Sequence, residues 1–418
     1  CMTAKTSPSP GMARADGPSV ADTLVKDTRT VPPALLEQQY AFLGDRDIPV
    51  QRYTSREFFQ REVESLWPNT WQWACREEHI PEVGDSYVYD IGPYSVLIAR
   101  MEDRGVKAFL NVCTHRGTRL VDAQGCGYTP AFTCPFHGWS WNLDGSVRNI
   151  PAQWDFPHAG SDSHRLEEAR CERWGGFVFV NLDRDAEPLD HYLGVMSSHF
   201  EQFPSLERRR VRVHVQKLLP ANWKLAQEAF LEAYHNFETH DSPHGANAQY
   251  DVFGPYVTRF IHNIGNYSPD ALSDYPGDKW RRPPQTEEEM LAALAVEGKT
   301  LEAGQTAREV AAQALRDVYR EQAGVDLDQV SDSLMLDSIE YHLFPNMFFF
   351  PGIMVPMVYR FRPNGDDVDS SIFDVLVLEP LPDGTDHPVP PEPIHLGVEH
   401  SYSEAEELGW LAPVYDVD

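Results

Sequence analysis

The sequence predicts an α+β protein in two parts: a small all-β domain, then a larger domain that mixes helices with an antiparallel sheet. Three observations predict it. Between Gly84 and about Asp183, short apolar runs are punctuated by Gly, Pro and Asp, as in DSYVYDIGPYSVLIARMEDRGVKAFLNVC and RWGGFVFVNLD. Residues 190–242 and 286–322 instead carry apolar residues at helical spacing. Strongly apolar strand runs, EYHLFPNMFFFPGIMVPMVYRFRP and SSIFDVLVLEP, then follow. At 418 residues, 42% of them hydrophobic, the chain can build more than one core.

Taken in order, residues 1–40 are rich in Ser, Thr, Pro, Ala and Asp without apolar periodicity, and read as a flexible arm. From Thr54 to Cys75 a packed helix is expected, with Ser55 as its N-cap and Phe58, Phe59, Val63, Leu66 and Trp67 at near-helical spacing. Trp67, Trp71 and Trp73 read as core. Leu143-Asp144-Gly145 is a hairpin signal. The domain boundaries expected are 41–165 for the β domain with its leading helix and 166–418 for the second domain. Within the latter, the acidic helical stretch 286–322 is either a lid or a solvated surface insertion. Aromatic and Met residues from Tyr341 to Met357 are mostly sheet core, a few of them walls of an apolar pocket.

The formal net charge of -29 argues against a nucleic-acid partner and against docking on an anionic membrane. No apolar run approaches the roughly 20 residues that span a bilayer, and the start lacks the pattern of a secretory signal. The six cysteines therefore read as free thiols or metal ligands, and the setting as cytoplasmic.

Four of those metal-ligating residues fall into one pattern. Cys113 and His115 form C-x-H, eighteen residues intervene, and Cys134 and His137 form C-x-x-H. Two thiolates and two imidazoles suit a four-coordinate zinc, or a [2Fe–2S] cluster with two Cys on one iron and two His on the other. Gly117, Pro135 and Gly138 suit the tight turns that would bring the arms together. Cys126, between the arms, reads as a spare thiol.

A second pattern lies in ANWKLAQEAFLEAYHNFETH, residues 221–240. Glu232 and His235, at i and i+3, would share a helix face. Five residues separate His235 from His240, roughly 140° around an ideal helix. Both reach one metal only if the helix breaks between them, and Asn236 is a tolerable place. Two imidazoles and one carboxylate make the facial triad of non-haem Fe(II) oxygenases.

The segments NVCTHRG, CPFHGW and N-W-K followed by E-x-x-H-x4-H, in this order and about a hundred residues apart, resemble the large (alpha) subunit of Rieske non-haem iron aromatic-ring-hydroxylating oxygenases. The resemblance spans roughly residues 50–418. It implies a Rieske [2Fe–2S] domain on Cys113, His115, Cys134 and His137, and a helix-grip-like catalytic domain with mononuclear Fe(II) on His235 and His240. It puts Glu232 in the place of the acidic residue that bridges to a cluster histidine, here His137, of the neighbouring subunit. Many ring dihydroxylases carry Asp there; Glu occurs in some members, including those acting on quaternary amines. The third iron ligand in this family is a carboxylate near the C-terminal end. Asp418 fits it best, with Asp416 as runner-up; the closing helix expected after it is missing, which suggests a truncated C-terminus.

What the resemblance implies for function is O2-dependent hydroxylation of an apolar, aromatic or alicyclic compound, with electrons from a NAD(P)H-linked reductase or ferredoxin. The alternative is oxidative demethylation or hydroxylation of an amine or quaternary amine. The assembly implied is a homotrimer, with or without a beta subunit. A plain Rieske electron carrier and a zinc-stabilised binding protein are the rivals from other classes.

Overall fold

The computed structural model describes residues 18–122, 125–160, 163–237, 239–240, 248–265, 286–294, 296 and 298–418. The first sheet has seven strands in the order Gln72–Arg76, Phe177–Asn181, Glu168–Trp174, Val106–Leu110, Tyr94–Arg100, Asp85–Ile91, Gly125–Tyr128. A small sheet of Phe132–Thr133, Ser140–Trp141 and Val147–Asn149 accompanies it. The expected hairpin at 143–145 closes this small sheet, with Asn142 N–H donating to Ser146 O at 2.8 Å. Gly145 is required there: its φ is +79°, and a Cβ would lie 2.5 Å from the Phe109 ring.

Strands Glu168–Trp174 and Phe177–Asn181 belong to this first sheet, so the β domain runs past the expected boundary at 165. Every residue of Phe177–Asn181 is buried, and its neighbour on the sheet is Gln72–Arg76. The helix expected over Thr54–Cys75 is correspondingly shorter. It spans Arg56–Ser65, with Ser55 Oγ accepting from Phe58 N–H at 3.2 Å, and stops just before Pro68. Beyond that proline, QWACR is a strand buried at all five positions, and Trp67, Trp71 and Trp73 are core.

The second sheet has eight strands in the order Gln249–Val252, Val257–His262, Ser338–Leu343, Met347–Phe349, Met357–Asn364, Asp367–Pro380, Arg209–Leu219, Ile394–Leu396. All pairs are antiparallel except the last. The expectation of a helical 190–242 is corrected in the middle: Arg209–Leu219 is a long strand between helices Leu189–Leu193 and Val195–Phe200 and helix Trp223–Glu228. Val211, Val213 and Val215, all buried, alternate along it with Arg212 and His214, a period of two that helical spacing does not explain.

Two further expectations change. The described part of the N-terminal arm is docked: Val20, Leu24, Ala34 and Leu35 are buried in the main core, and Arg259 donates to the carbonyl of Ala34. The stretch 286–322 is held by its amphipathic helix Ala307–Val318, which buries Ala311 and Ala312 and pairs Arg308 with Asp337 at 2.7 Å and Arg316 with Asp332 at 2.6 Å.

A buried ionic knot helps to join the two sheets. Arg360 stacks 3.7 Å from the Trp73 ring centroid and donates to Trp73 O at 2.7 Å. Asp374, fully buried, accepts from both Arg360 and Arg362, and their charge holds it far below the usual carboxylate range despite burial. The second sheet is thereby pinned to the backbone of the first strand of the β domain.

Candidate active site

The two Cys/His arms fold into the same loop twice. Cys113 N–H donates to Thr118 O at 2.8 Å and Gly117 N–H to Cys113 O at 2.9 Å; Cys134 N–H donates to Trp139 O at 2.8 Å and Gly138 N–H to Cys134 O at 3.0 Å. Each loop turns on a left-handed glycine, Gly117 at φ +80° and Gly138 at φ +74°. Asn111 ties both ends of the first loop, accepting from Leu120 and Val121 N–H and donating to Val121 O.

The loop tips meet. Cys113 and Cys134 are 2% exposed, and their thiols lie within hydrogen-bond reach of each other. The His115 and His137 rings stand 4.8 Å apart, and His115 stacks on Trp139 at 4.6 Å with planes 5° apart. Burial pushes the Cys113 thiol up. For Cys134 burial is outweighed by the backbone N–H groups of Phe136 and His137, so that thiol falls below its ordinary range. His115 Nδ1 is buried with no hydrogen-bond partner. An orphaned imidazole nitrogen beside two converging thiols, with backbone N–H groups aimed at sulfur, fits a [2Fe–2S] cluster. His137 and Phe136 remain exposed at the outer tip.

The second set forms where helical structure fails. Helix Trp223–Glu228, capped by Asn222, loosens into the turn Ala229–Leu231, and Glu232 is extended at φ -147° and ψ 162°. The break thus falls at Glu232 rather than Asn236, and Glu232 and His235 do not share a helix face. They meet because the Glu232 carboxylate folds back over the turn Tyr234–Phe237. One oxygen accepts from Tyr234 and His235 N–H, and the other contacts His235 Nδ1 at 2.7 Å. This leaves His235 Nε2 facing Asp418 at 3.7 Å, while His240 Nε2 lies 2.9 Å from the same oxygen. Ligand atoms of His235, His240 and Asp418 all fall within 4.8 Å of one another, a fit for one mononuclear ion.

Asp416 is elsewhere: its carboxylate caps the turn at Tyr402 and Ser403, accepting their backbone N–H groups. Two side chains that sequence reasoning missed position Asp418. Tyr415, in the short helix Ala412–Tyr415, hydrogen-bonds Tyr359 of the sheet through a hydroxyl pair at 2.6 Å, and both are buried.

The order of the parts also matches known families. A model of the Rieske [2Fe-2S] domain matches residues 70–159, and one of the ring hydroxylating alpha subunit (catalytic domain) matches residues 200–380. Both domains of the Rieske-type ring-hydroxylating oxygenase alpha subunits are thus matched in this chain, in that order. Among curated members of the family, the carnitine monooxygenase oxygenase subunit of Escherichia coli (strain K12) is 30% identical over 189 residues, 45% of this chain and 50% of the relative. The chlorobenzene dioxygenase subunit alpha of Cupriavidus sp. (strain PS12) is 34% identical over 190 residues, 44% and 42% of the two chains. The chain thus spans half or less of the length of these relatives. Among solved members, naphthalene 1,2-dioxygenase from Rhodococcus sp. bound to indole superposes with TM-score 0.54 at 20% identity, over 82% of this chain and 74% of the other. A quaternary ammonium Rieske monooxygenase in complex with L-carnitine gives TM-score 0.55 at 17% identity, over 79% and 74%. At such identities these two speak for the fold.

Beside the His235, His240 and Asp418 group lies a cavity of about 560 Å³ with mostly apolar walls, among them Phe230, Phe260, Phe350, Tyr359 and Trp410. One wall residue is a buried carboxyl, Glu340. It was legible only as the single charged residue inside the apolar run IEYHLF.

Proposed function

We propose that this chain is the oxygenase component of a system that uses O2 and electrons from a NAD(P)H-linked reductase or ferredoxin to hydroxylate a small molecule with a large apolar body. The observation that carries it is the presence, in one chain, of two kinds of centre. One is a loop pair bearing two cysteines and two histidines; the other is a separate group of two histidines and a carboxylate that opens onto an apolar cavity.

When bound, a [2Fe–2S] cluster on Cys113, His115, Cys134 and His137 supplies one-electron storage, and Fe(II) on His235, His240 and Asp418 supplies O2 chemistry. The protein's own groups do the rest. Glu232 holds the Nδ1 side of His235, which fixes the ring and presents Nε2 toward Asp418. Tyr415, held by Tyr359, orients the turn that ends in Asp418. The ring-lined walls exclude water and place the substrate.

Glu232 is also the electron relay in this reading, taking its partner from the exposed His137 of a neighbouring subunit in a homotrimer. That both side chains reach the surface supports it. A beta subunit is compatible with the same arrangement, and the setting proposed is the cytoplasm. Among the described residues no helix is long and apolar enough to cross a membrane.

Metal analysis with product analysis tests the proposal. About three irons per chain, and O2-dependent product after reduction, are expected. Two irons without turnover would indicate an electron carrier, and zinc a stabilised scaffold.

A further inference from the structure

Glu340 sits in strand Ser338–Leu343, opposite Phe260 on the neighbouring strand. It is 5% exposed and lines the cavity beside His235, His240 and Asp418. No described residue gives its carboxyl a hydrogen bond or an ion pair, and burial alone pushes it well above the ordinary carboxylate range. A carboxyl largely buried in this position without a protein partner is costly to the fold. The partner it lacks is therefore sought in what fills the cavity.

The walls narrow the choice. No Lys or Arg is among the described residues that line this cavity; its other acidic members are Glu232 and Asp418. A substrate carboxylate turned toward the Glu340 wall would meet another carboxyl with no Lys or Arg among the described lining residues. A pure hydrocarbon would leave Glu340 as unpaired as before. Phe260, Phe350, Tyr359 and Trp410 line the same space. Aromatic rings that share a cavity with an unpaired carboxyl suit a cation, by ring quadrupole and by the ion pair formed when the bound cation draws the carboxyl into its charged form. The Tyr359 hydroxyl is hydrogen-bonded to Tyr415 at 2.6 Å rather than to Glu340.

We infer that Glu340 is the specificity determinant of the cavity and that the substrate carries a cationic alkylammonium nitrogen on an otherwise apolar body. This rests on the oxygenase reading for the chemistry, but not for the binding. Glu340 positions and selects substrate.

The test is binding of two shape-matched probes to the iron-loaded protein without O2: benzyltrimethylammonium and its neutral isostere neopentylbenzene, followed by tryptophan fluorescence. The cation should bind at least about ten-fold tighter than the hydrocarbon. Glu340→Gln should remove most of that preference, by weakening the cation and leaving the hydrocarbon unchanged or tighter. Equal affinities in the unaltered protein, a tighter hydrocarbon, or no binding of the cation would overturn the inference. So would a folded Glu340→Gln protein that keeps the preference. The comparison in the unaltered protein decides the matter even if the variant does not fold. Iron is measured on the same samples: full iron without cation preference sinks Glu340 alone, whereas missing iron sinks the oxygenase reading.

Discussion

In the cysteine–histidine loops, each ligand lies within a few residues of the glycine and the backbone hydrogen bonds that shape it. In the His235, His240 and Asp418 group the backbone is irregular, and the carboxylate arrives from the far end of the chain, steadied by Tyr415 against the sheet. The first site is encoded locally and twice over. The second is encoded by tertiary packing. A metal site can be rigid in either way, but only the local one can be recognised by its shape from sequence.

Substitutions at the two sites put that contrast at risk. The largest effect is expected from Asp418→Ala, which should abolish turnover and lower iron from about three to about two per chain, with the cluster's colour and EPR signal intact. Loss of the cluster as well would show that the two sites are not independently built. Glu232→Gln should keep both metal centres and slow turnover by roughly 10–100-fold, as expected when a group supporting a ligand is neutralised. Turnover equal to the unaltered protein would remove Glu232 from both the positioning and the relay role.

A third measurement probes the tertiary packing itself. Burial pulls His342, within the catalytic sheet, down to about 4 from an ordinary value of 6.5. The unfolded chain then binds the extra proton between those two values, so stability is full above about pH 6.5 and falls as the pH drops toward 4. The expected slope is about 1.4 kcal/mol per pH unit from this residue. Tm followed against pH should show this fall, and His342→Gln should flatten it. A profile identical in the variant would place the acid sensitivity elsewhere.

The smallest effect tests the local side. Gly117→Ala meets no atom within 4 Å, so its cost is only that of φ +80°, about 1 kcal/mol. The loop should still load its cluster, at a slightly lower Tm. Failure to load would mean that the turn tolerates no strain at all.

Legibility follows the same division. The Ser55 cap, the 143–145 hairpin and both glycine turns are readable because each depends on neighbours in sequence. The strand Arg209–Leu219 reads as helix although Val211, Val213 and Val215 alternate, because helical spacing on both sides dominates the window. The arm reads as flexible because its composition is polar, yet in its described part four apolar residues, Val20, Leu24, Ala34 and Leu35, are buried in the main core. Glu232 and His235 do pair, but for a different reason than their spacing suggests: they meet across a broken turn, not along a helix face.

By itself the amino-acid order determined which candidate ligands exist, how they are spaced, and an α+β architecture to carry them. These follow from short-range rules of turns, periodicity and ligand chemistry. Only the folded chain decided that Asp418 rather than Asp416 faces the histidines, that the β domain takes in residues 168–181, and that Glu340 lines the cavity without a partner among the described residues. Those outcomes depend on which distant segments share buried surface, and spacing along a chain carries no measure of that.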